Sequence, residues 1–170
     1  MSGDFDLRAL RDALDAQRHE RGLSWTEAAR QINAVGPDAP RHPIAVSTIT
    51  GLGSRALAEG AGVLQMLRWL GRAPESFVRD CPAALLRAAS LPAAGAGDVL
   101  RFDTRRLYDA LDAQRAARGL TWQDVARETG VAAAHAKGLA RGGRTAFPGV
   151  MRLTAWLGAP ASRFVRLSPY

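Results

Sequence analysis

Apolar residues recur at helical spacing along much of the 170-residue chain. Two opening stripes have this three- and four-residue spacing: Leu7, Leu10 and Leu14, then Leu107 and Leu111. Such a stripe predicts an α-helix that is buried along one side. Gly22 and Gly119 follow the stripes and indicate where each helix ends, because glycine adopts the left-handed backbone of a helix C-terminus at little cost.

A start signal for a second helix follows each opening helix. Ser24 precedes Glu27 by three residues, and Thr121 precedes Asp124 by three. A hydroxyl and an acid at this spacing can satisfy the unpaired N–H groups of a helix start reciprocally. The sequence therefore predicts a second helix directly after each hydroxyl residue.

A turn and two more helices are expected in each half of the chain. Gly130 is typical of a tight turn, whereas Asn33, which also tolerates a left-handed backbone, is followed by a proline-containing loop over 34–43. The apolar positions of the third helix match between the halves: Ile44, Ile49 and Leu52 with Val131, Ala136 and Leu139. Gly71 and Gly158 stop the fourth helices, and a short last turn follows each of them.

No segment predicts a β-strand, so we expect an all-α protein of two small helical bundles. We define the first unit as residues 1–81, with its lengthened turn, and the second unit as residues 101–170. Residues 82–100 form the linker. Within the linker, the segment 82–90 predicts a short helix that begins at a proline, and the small residues of 91–97 predict a connecting segment.

The two units repeat one sequence. "RGLSWTEAARQIN" at 21–33 aligns with "RGLTWQDVARETG" at 118–130 at an offset of 97 residues, and later matches have an offset of 87. The difference of ten residues falls in the loop 34–43. All four tryptophans form repeat pairs: Trp25 with Trp122, and Trp69 with Trp156. The pattern indicates internal duplication, and the tryptophans are expected to pack in the cores rather than form a stacking platform.

Charge adds a class of partner to this picture. The net charge is +7, and Lys137 is the only lysine among 23 basic residues. Residues 1–97 hold 11 basic and 10 acidic residues, whereas 98–170 hold 12 and 6. The excess in the second part favours binding to phosphate groups or other polyanions.

The sequence offers little for catalysis or metal binding. Cys81 is the only cysteine, so an intramolecular disulfide is excluded, and a reducing cytoplasm is expected. His19, His42 and His135 share no ligand spacing, and no nucleophile-and-base motif is present. With no signal peptide or membrane span, we expect a soluble cytoplasmic protein that is not an enzyme and needs no metal or cofactor.

The stretch "RGLTWQDVARETGVAAAHAKGLARG" at 118–142 resembles the phage-repressor-type (Xre-like) helix-turn-helix family. The matching positions are Arg118, Gly119, Thr121, Ala126, Gly130, Val131, Ala136 and Leu139 in the second unit, and Arg21, Gly22, Ser24, Ala29, Ile44, Ile49 and Leu52 in the first. Trp25 and Trp122 depart from the family pattern, which often has a phosphate-binding glutamine there. We expect both indoles to pack.

The resemblance implies double-stranded DNA as the partner, since the third helix of that family lies in the major groove. Candidate DNA-binding residues carried over from the family are Val46, Ser47, Thr48, Thr50, Gly51 and Arg55 in the first unit, and Ala133, Ala134, His135, Lys137, Gly138, Arg141 and Arg144 in the second. They imply a transcriptional regulator with two tandem helix-turn-helix units in one chain.

The two third helices differ in chemistry. The first unit offers hydroxyl groups at Ser47 and Thr48, whereas the second offers mainly alanine beside Lys137 and Arg141. Alanine cannot form the bidentate hydrogen bonds that give about 1–3 kcal/mol of base discrimination. We therefore expect an asymmetric DNA site, on which the first unit supplies selectivity and the second supplies phosphate affinity.

Two alternatives stay open from the sequence. The alanine-rich segment 132–140 and the loop 34–43 also fit a protein-interaction adaptor or an antitoxin-like protein whose helix-turn-helix units have lost base recognition. The sequence does not decide whether two chains pair as a homodimer or whether a protein partner binds.

Overall fold

The computed structural model describes residues 3–34, 43–54, 58–93, 98–142 and 145–169, and within these ranges the protein is mostly helical. Five helices precede residue 90: α1 (Leu7–Glu20), α2 (Trp25–Asn33), α3 (Val46–Thr50), α4 (Gly60–Leu70) and α5 (Ala83–Ala88). Four more follow: α6 (Thr104–Ala117), α7 (Trp122–Thr129), α8 (Ala133–Gly138) and α9 (Phe147–Leu157). The helical class is therefore confirmed, and a 3₁₀ turn follows α4 at Pro74–Phe77 and α9 at Ala161–Phe164.

The predicted helix starts are confirmed by reciprocal capping bonds. The Ser24 N–H donates to Glu27 Oε2 over 2.7 Å, and the Glu27 N–H donates to Ser24 Oγ over 3.2 Å. Thr121 and Asp124 form the same pair of bonds over 2.8 and 3.2 Å. Gly130 ends α7 with φ +69°, so the tight turn before α8 needs a glycine.

A two-stranded antiparallel sheet corrects the expectation that the chain has no strand. Strand β1 (Asp98–Phe102) pairs with β2 (Val165–Pro169), so residues 98–100 are not part of a linker. Val99 and Leu100 are both buried although they are adjacent, and only Arg101 is exposed between the buried positions. This burial breaks the alternation by which a strand is recognised in a sequence.

Asn33 closes the loop of the first unit in a way that the sequence analysis did not predict. Its side-chain amide donates to the Ile44 carbonyl over 2.9 Å and accepts from the Ile44 N–H over 2.8 Å. Asn33 does not adopt the left-handed backbone that it tolerates, because Asp80 is the only described residue other than glycine with a positive φ. Residues 35–42 of this loop, including His42, lie outside the described residues.

One hydrophobic core extends through both units. Phe147 is fully buried, and its ring lies 4.7 Å from Phe5 of the first unit and 5.5 Å from Phe102 of β1, measured between ring centroids. The leucines that form the centre of the core come from both copies: Leu10, Leu14, Leu64, Leu67, Leu107, Leu111 and Leu153. Folding of the two units is therefore coupled through shared burial.

The backbones of the two units also join directly, at a contact that we call the junction (residues 58–60 and 145–147). Glu59 and Ala146 face each other in an antiparallel bridge. The Gly60 N–H donates to the Thr145 carbonyl over 2.8 Å, and the Phe147 N–H donates to the Ala58 carbonyl over 2.8 Å. The junction brings the starts of the two fourth helices together, because α4 and α9 begin there.

Candidate nucleic-acid interface

The third helix of the first unit is short and open on one side. α3 has five residues, about one and a half turns, and packs on α2 through the buried Ile49. Ser47 and Thr48 are exposed, and no side-chain hydrogen bond of either residue occurs in the described part of the chain. Their hydroxyl groups can therefore donate to and accept from a ligand.

The other first-unit candidates are less available. Val46, Thr50 and Gly51 are half-buried. The Thr50 hydroxyl donates to the Val46 carbonyl over 3.1 Å, which uses its only proton within the helix. Arg55 lies outside the described residues.

The third helix of the second unit is likewise open to solvent. α8 has six residues and is held by the buried Ala136, while Ala134, His135 and Lys137 are exposed. Ala133 and Gly138 are half-buried. The chain continues into the 3₁₀ turn Leu139–Arg141, where Arg141 is exposed, and Arg144 lies outside the described residues.

A surface of three exposed cations borders this helix, and we call it the basic surface (Arg106, Lys137 and Arg141). Arg106 lies in the first turn of α6, which packs on the 3₁₀ turn that carries Arg141. Within the described ranges, none of the three charged groups forms an ion pair or a hydrogen bond. Three exposed cations without acidic partners favour an anionic ligand.

The first unit does not repeat this surface. Its equivalent positions are uncharged: Ala9, Thr50 and Ser54. The excess of positive charge expected in the second part of the chain therefore corresponds to the basic surface, which the first unit lacks at the equivalent positions. Arg106 was missed in the sequence analysis, although the pair Arg105-Arg106 stands where the first unit has Arg8-Ala9.

No family model, curated protein or solved structure matches this chain.

The arginines that precede Gly22 and Gly119 are engaged elsewhere. Arg118 donates to Glu128 over 2.8 Å, and its guanidinium lies 5.3 Å from the Trp156 ring centroid. Two hydrogen bonds lower the pKa of Glu128: the bond from the Trp156 indole has the larger effect, and the bond from Arg118 has the next largest. Arg21 lies 4.9 Å from the Trp69 ring in the same way. Arg118 thus contacts both the second and the fourth helix of its unit, whereas Arg21 packs on the fourth helix of the first unit.

The tryptophans at the start of α2 and α7 pack, as expected. Trp25 and Trp122 are half-buried against the core. Tyr108 stacks on Trp122 with 5.4 Å between ring centroids, and Arg115 lies 5.3 Å from the same indole ring. Arg115 also donates a hydrogen bond to the backbone carbonyl of Leu120, over 2.7 Å. These indoles therefore pack against the first helix of their own unit, at Arg18 for Trp25 and at Tyr108 and Arg115 for Trp122.

Other kinds of site find little support in the described ranges. They hold no cluster of three or more His, Cys, Asp or Glu side chains that could bind a metal ion. Among their helices, none has the length and apolar character required to cross a bilayer.

A buried carboxylate lies between the two units. Glu75 is 3% exposed; its Oε1 accepts from the Ala161 N–H over 2.5 Å, and its Oε2 has no partner among the described residues. Burial raises the pKa of Glu75, against the opposing effect of the Ala161 bond. Burial raises the pKa of the nearby Cys81 thiol, and the charge of Glu75 raises it further by a smaller amount. A raised pKa favours the protonated form of the thiol, which is unreactive.

Replacing Glu75 is expected to flatten the dependence of stability on pH. A raised pKa means that the folded protein binds this proton more tightly than the unfolded chain does. The contribution to stability is then present below the ordinary glutamate pKa of 4.5 and is lost as the pH rises through the folded value. Glu75→Gln should raise the free energy of unfolding by on the order of 1 kcal/mol at pH 8, because no charge is then buried beside an unpartnered oxygen.

Urea unfolding of both proteins from pH 4 to pH 8 measures this difference. Subtracting the two profiles removes the contributions of titrating groups that do not interact with Glu75. Glu20→Gln, at an exposed position, is the control and should leave the profile unchanged. A difference that did not grow with pH would contradict the prediction.

Proposed function

We propose that the protein binds double-stranded DNA through α3 and α8 and regulates transcription. The observation that carries the proposal is the basic surface, three unpaired cations beside an exposed third helix. Phosphate contacts from such cations supply most of the sequence-independent affinity of DNA-binding proteins. Exposed side chains on the helix can then face base edges.

The order of elements supports the same proposal. In each unit, a capped second helix is followed by a turn and a short third helix with a buried centre, at Ile49 or Ala136. This arrangement agrees with the resemblance to the phage-repressor-type helix-turn-helix family. We accordingly propose that the two units are duplicated repressor-like bundles and that the protein acts in the cytoplasm, on the cell's DNA.

The units have different tasks in this proposal. Ser47 and Thr48 carry exposed hydroxyl groups that can donate to and accept from bases. Ala134 can at most contact a thymine methyl group, whereas Lys137 and Arg141 attract phosphate. The first unit therefore selects the sequence and the second unit contributes affinity, so the complete site is asymmetric in sequence.

An electrophoretic mobility shift titrated with salt tests the proposal. If the three cations of the basic surface each neutralise one phosphate, the logarithm of affinity falls with the logarithm of salt at a slope of about −2.7. Affinity for genomic fragments should then decrease about 40-fold between 50 and 200 mM salt. A flat salt dependence, or no shift with any fragment at 50 mM salt, would contradict DNA binding.

A protein-interaction adaptor or antitoxin-like protein is the second candidate, and exposed apolar residues favour it. Leu86 of α5 and Leu167 of β2 are each 41% exposed, and the outer side of α8 is largely alanine. Affinity capture from nuclease-treated and untreated lysates separates the two functions. A stoichiometric protein in both lysates, with no DNA in the untreated one, would favour the adaptor.

A further inference from the structure

The junction between the units has a local two-fold axis. Glu59 and Ala146 face each other there, and they occupy equivalent positions 87 residues apart in the repeat. Both hydrogen bonds of the junction also join equivalent positions, in opposite directions and at the same length of 2.8 Å. An antiparallel pair in which each residue faces its own equivalent is related by a two-fold rotation through its centre.

Contacts away from the junction also cross between the units, through residues that are not equivalent in the repeat. Asp4, in the extended segment before α1, accepts from Arg152 of α9 over 2.9 Å. Asp98 of β1, in the segment before α6, accepts from Arg68 of α4 through its backbone carbonyl over 3.2 Å. Each unit thus places its leading segment on the fourth helix of the other unit. A simple translation from one unit to the next cannot produce this exchange.

We infer that one chain binds two DNA half-sites that run in opposite directions along the duplex. The inference rests on the proposed function, because it requires α3 and α8 to lie in DNA grooves. Helices related by a two-fold rotation present their residues to a duplex in opposite order. Since the exposed residues of α3 and α8 differ, the two half-sites differ in base sequence. The ligand is therefore an imperfect inverted repeat.

Unlike side chains at the axis explain why a single chain supplies both units. Phe147 fills the centre of the junction, and its equivalent in the first unit is Gly60. A Cβ atom on Gly60 would lie 2.9 Å from Thr145 Oγ1 and 3.0 Å from Phe102 Cδ2, which is too close. The second unit therefore accommodates the glycine of the first unit better than it would a phenylalanine like its own, and the two units pair within the chain.

A variant with two similar third helices tests the direction of the half-sites. Ala134→Ser, His135→Thr and Lys137→Thr together give α8 the outward side chains of α3, namely those of Ser47, Thr48 and Thr50. All three substituted positions are exposed, so the fold should be retained, which circular dichroism checks. The variant and the unaltered chain are each used to select duplexes from a random library at 50 mM salt.

The variant is expected to enrich a palindrome whose half-sites lie about 10–10.5 base pairs apart, centre to centre, or a multiple of that. The unaltered chain should enrich two unlike blocks at the same spacing. Native mass spectrometry should show one chain on the shortest duplex that binds. Selection of a direct repeat, selection of a single block, or two chains per shortest duplex would overturn the inference and leave DNA binding intact. If neither protein enriches any duplex, the proposed function fails and the inference fails with it.

If only the unaltered chain binds DNA, cleavage of the duplex by an iron chelate attached to the protein tests the direction of the half-sites. An iron chelate is attached to Thr48→Cys or to His135→Cys, each in a Cys81→Ser background. A two-fold arrangement predicts cut patterns on opposite strands that are related by rotation about the centre of the site. Cut patterns that repeat along the same strand would overturn the inference.

Discussion

Phe147→Ala is expected to lower the free energy of unfolding by about 3–5 kcal/mol, the range for removing a fully buried aromatic side chain. The ring contacts Phe5 of the first unit and Phe102 of β1, so its loss leaves a cavity where the two units share their core. Because both units lose packing at this cavity, the variant should still unfold in one transition. Urea denaturation followed by circular dichroism, with calorimetry for cooperativity, measures both quantities.

Leu86→Ala is the matched control for this prediction. Leu86 is 41% exposed on α5, so its truncation should change stability by no more than about 0.5 kcal/mol. A loss below about 1 kcal/mol for Phe147→Ala would show that the shared core is weak. Two separate transitions in the variant would show that each unit folds by itself.

The combination Lys137→Ala and Arg141→Ala is expected to weaken binding to every duplex by roughly 10- to 100-fold, at about 1.4 kcal/mol for each tenfold. The two residues supply two of the three charges of the basic surface. The slope of affinity against salt should fall in magnitude by about 2, because each lost phosphate contact removes about 0.9. Mobility shifts on several duplexes across a salt series measure both effects.

Thr48→Tyr provides the contrast, because it changes the outer side of α3 and leaves the charge unaltered. Its bulk should change which duplexes are preferred while the salt slope stays the same. A change of preference in the Lys137 and Arg141 variant, with uniform weakening in Thr48→Tyr, would reverse the tasks that we assign to the two units.

Local signals were sufficient to predict the helices. The capping boxes at Ser24 and Thr121 depend on residues only three positions apart, and both form as predicted. Gly71 and Gly158 end their helices with a left-handed backbone, again a property of single positions. The short helix of the linker also forms, directly after Pro82. Interactions within one helical turn can be recognised in a sequence because the partners are adjacent.

Long-range pairing could not be predicted in the same way. β1 contacts β2 across more than sixty residues of chain, whereas the described residues of the first unit show a single bridge at the equivalent place, Phe5 with Val78. The junction likewise joins segments that carry no strand pattern. A repeat in the sequence shows that two units are related, but it does not show by which rotation they pack.

The candidate site was predicted in part. The exposure of Ser47, Thr48 and Lys137 agrees with their position between the apolar residues that hold the third helices. Arg106 could not be assigned to the site, because it lies more than thirty residues before Arg141 and approaches it only through the packing of α6 on the 3₁₀ turn. The hydrogen bonds of the Asn33 side chain to Ile44 could not be predicted, because the two residues are eleven positions apart.

The glycine at position 60 and the ring at position 147 prevent the two repeats from being interchanged. Recombination between the duplicated coding segments would give chains with two phenylalanines at this point, which overlap, or with two glycines, which leave a void. Selection against both products would keep the two halves of the gene distinct, so that each could specialise without being overwritten by the other.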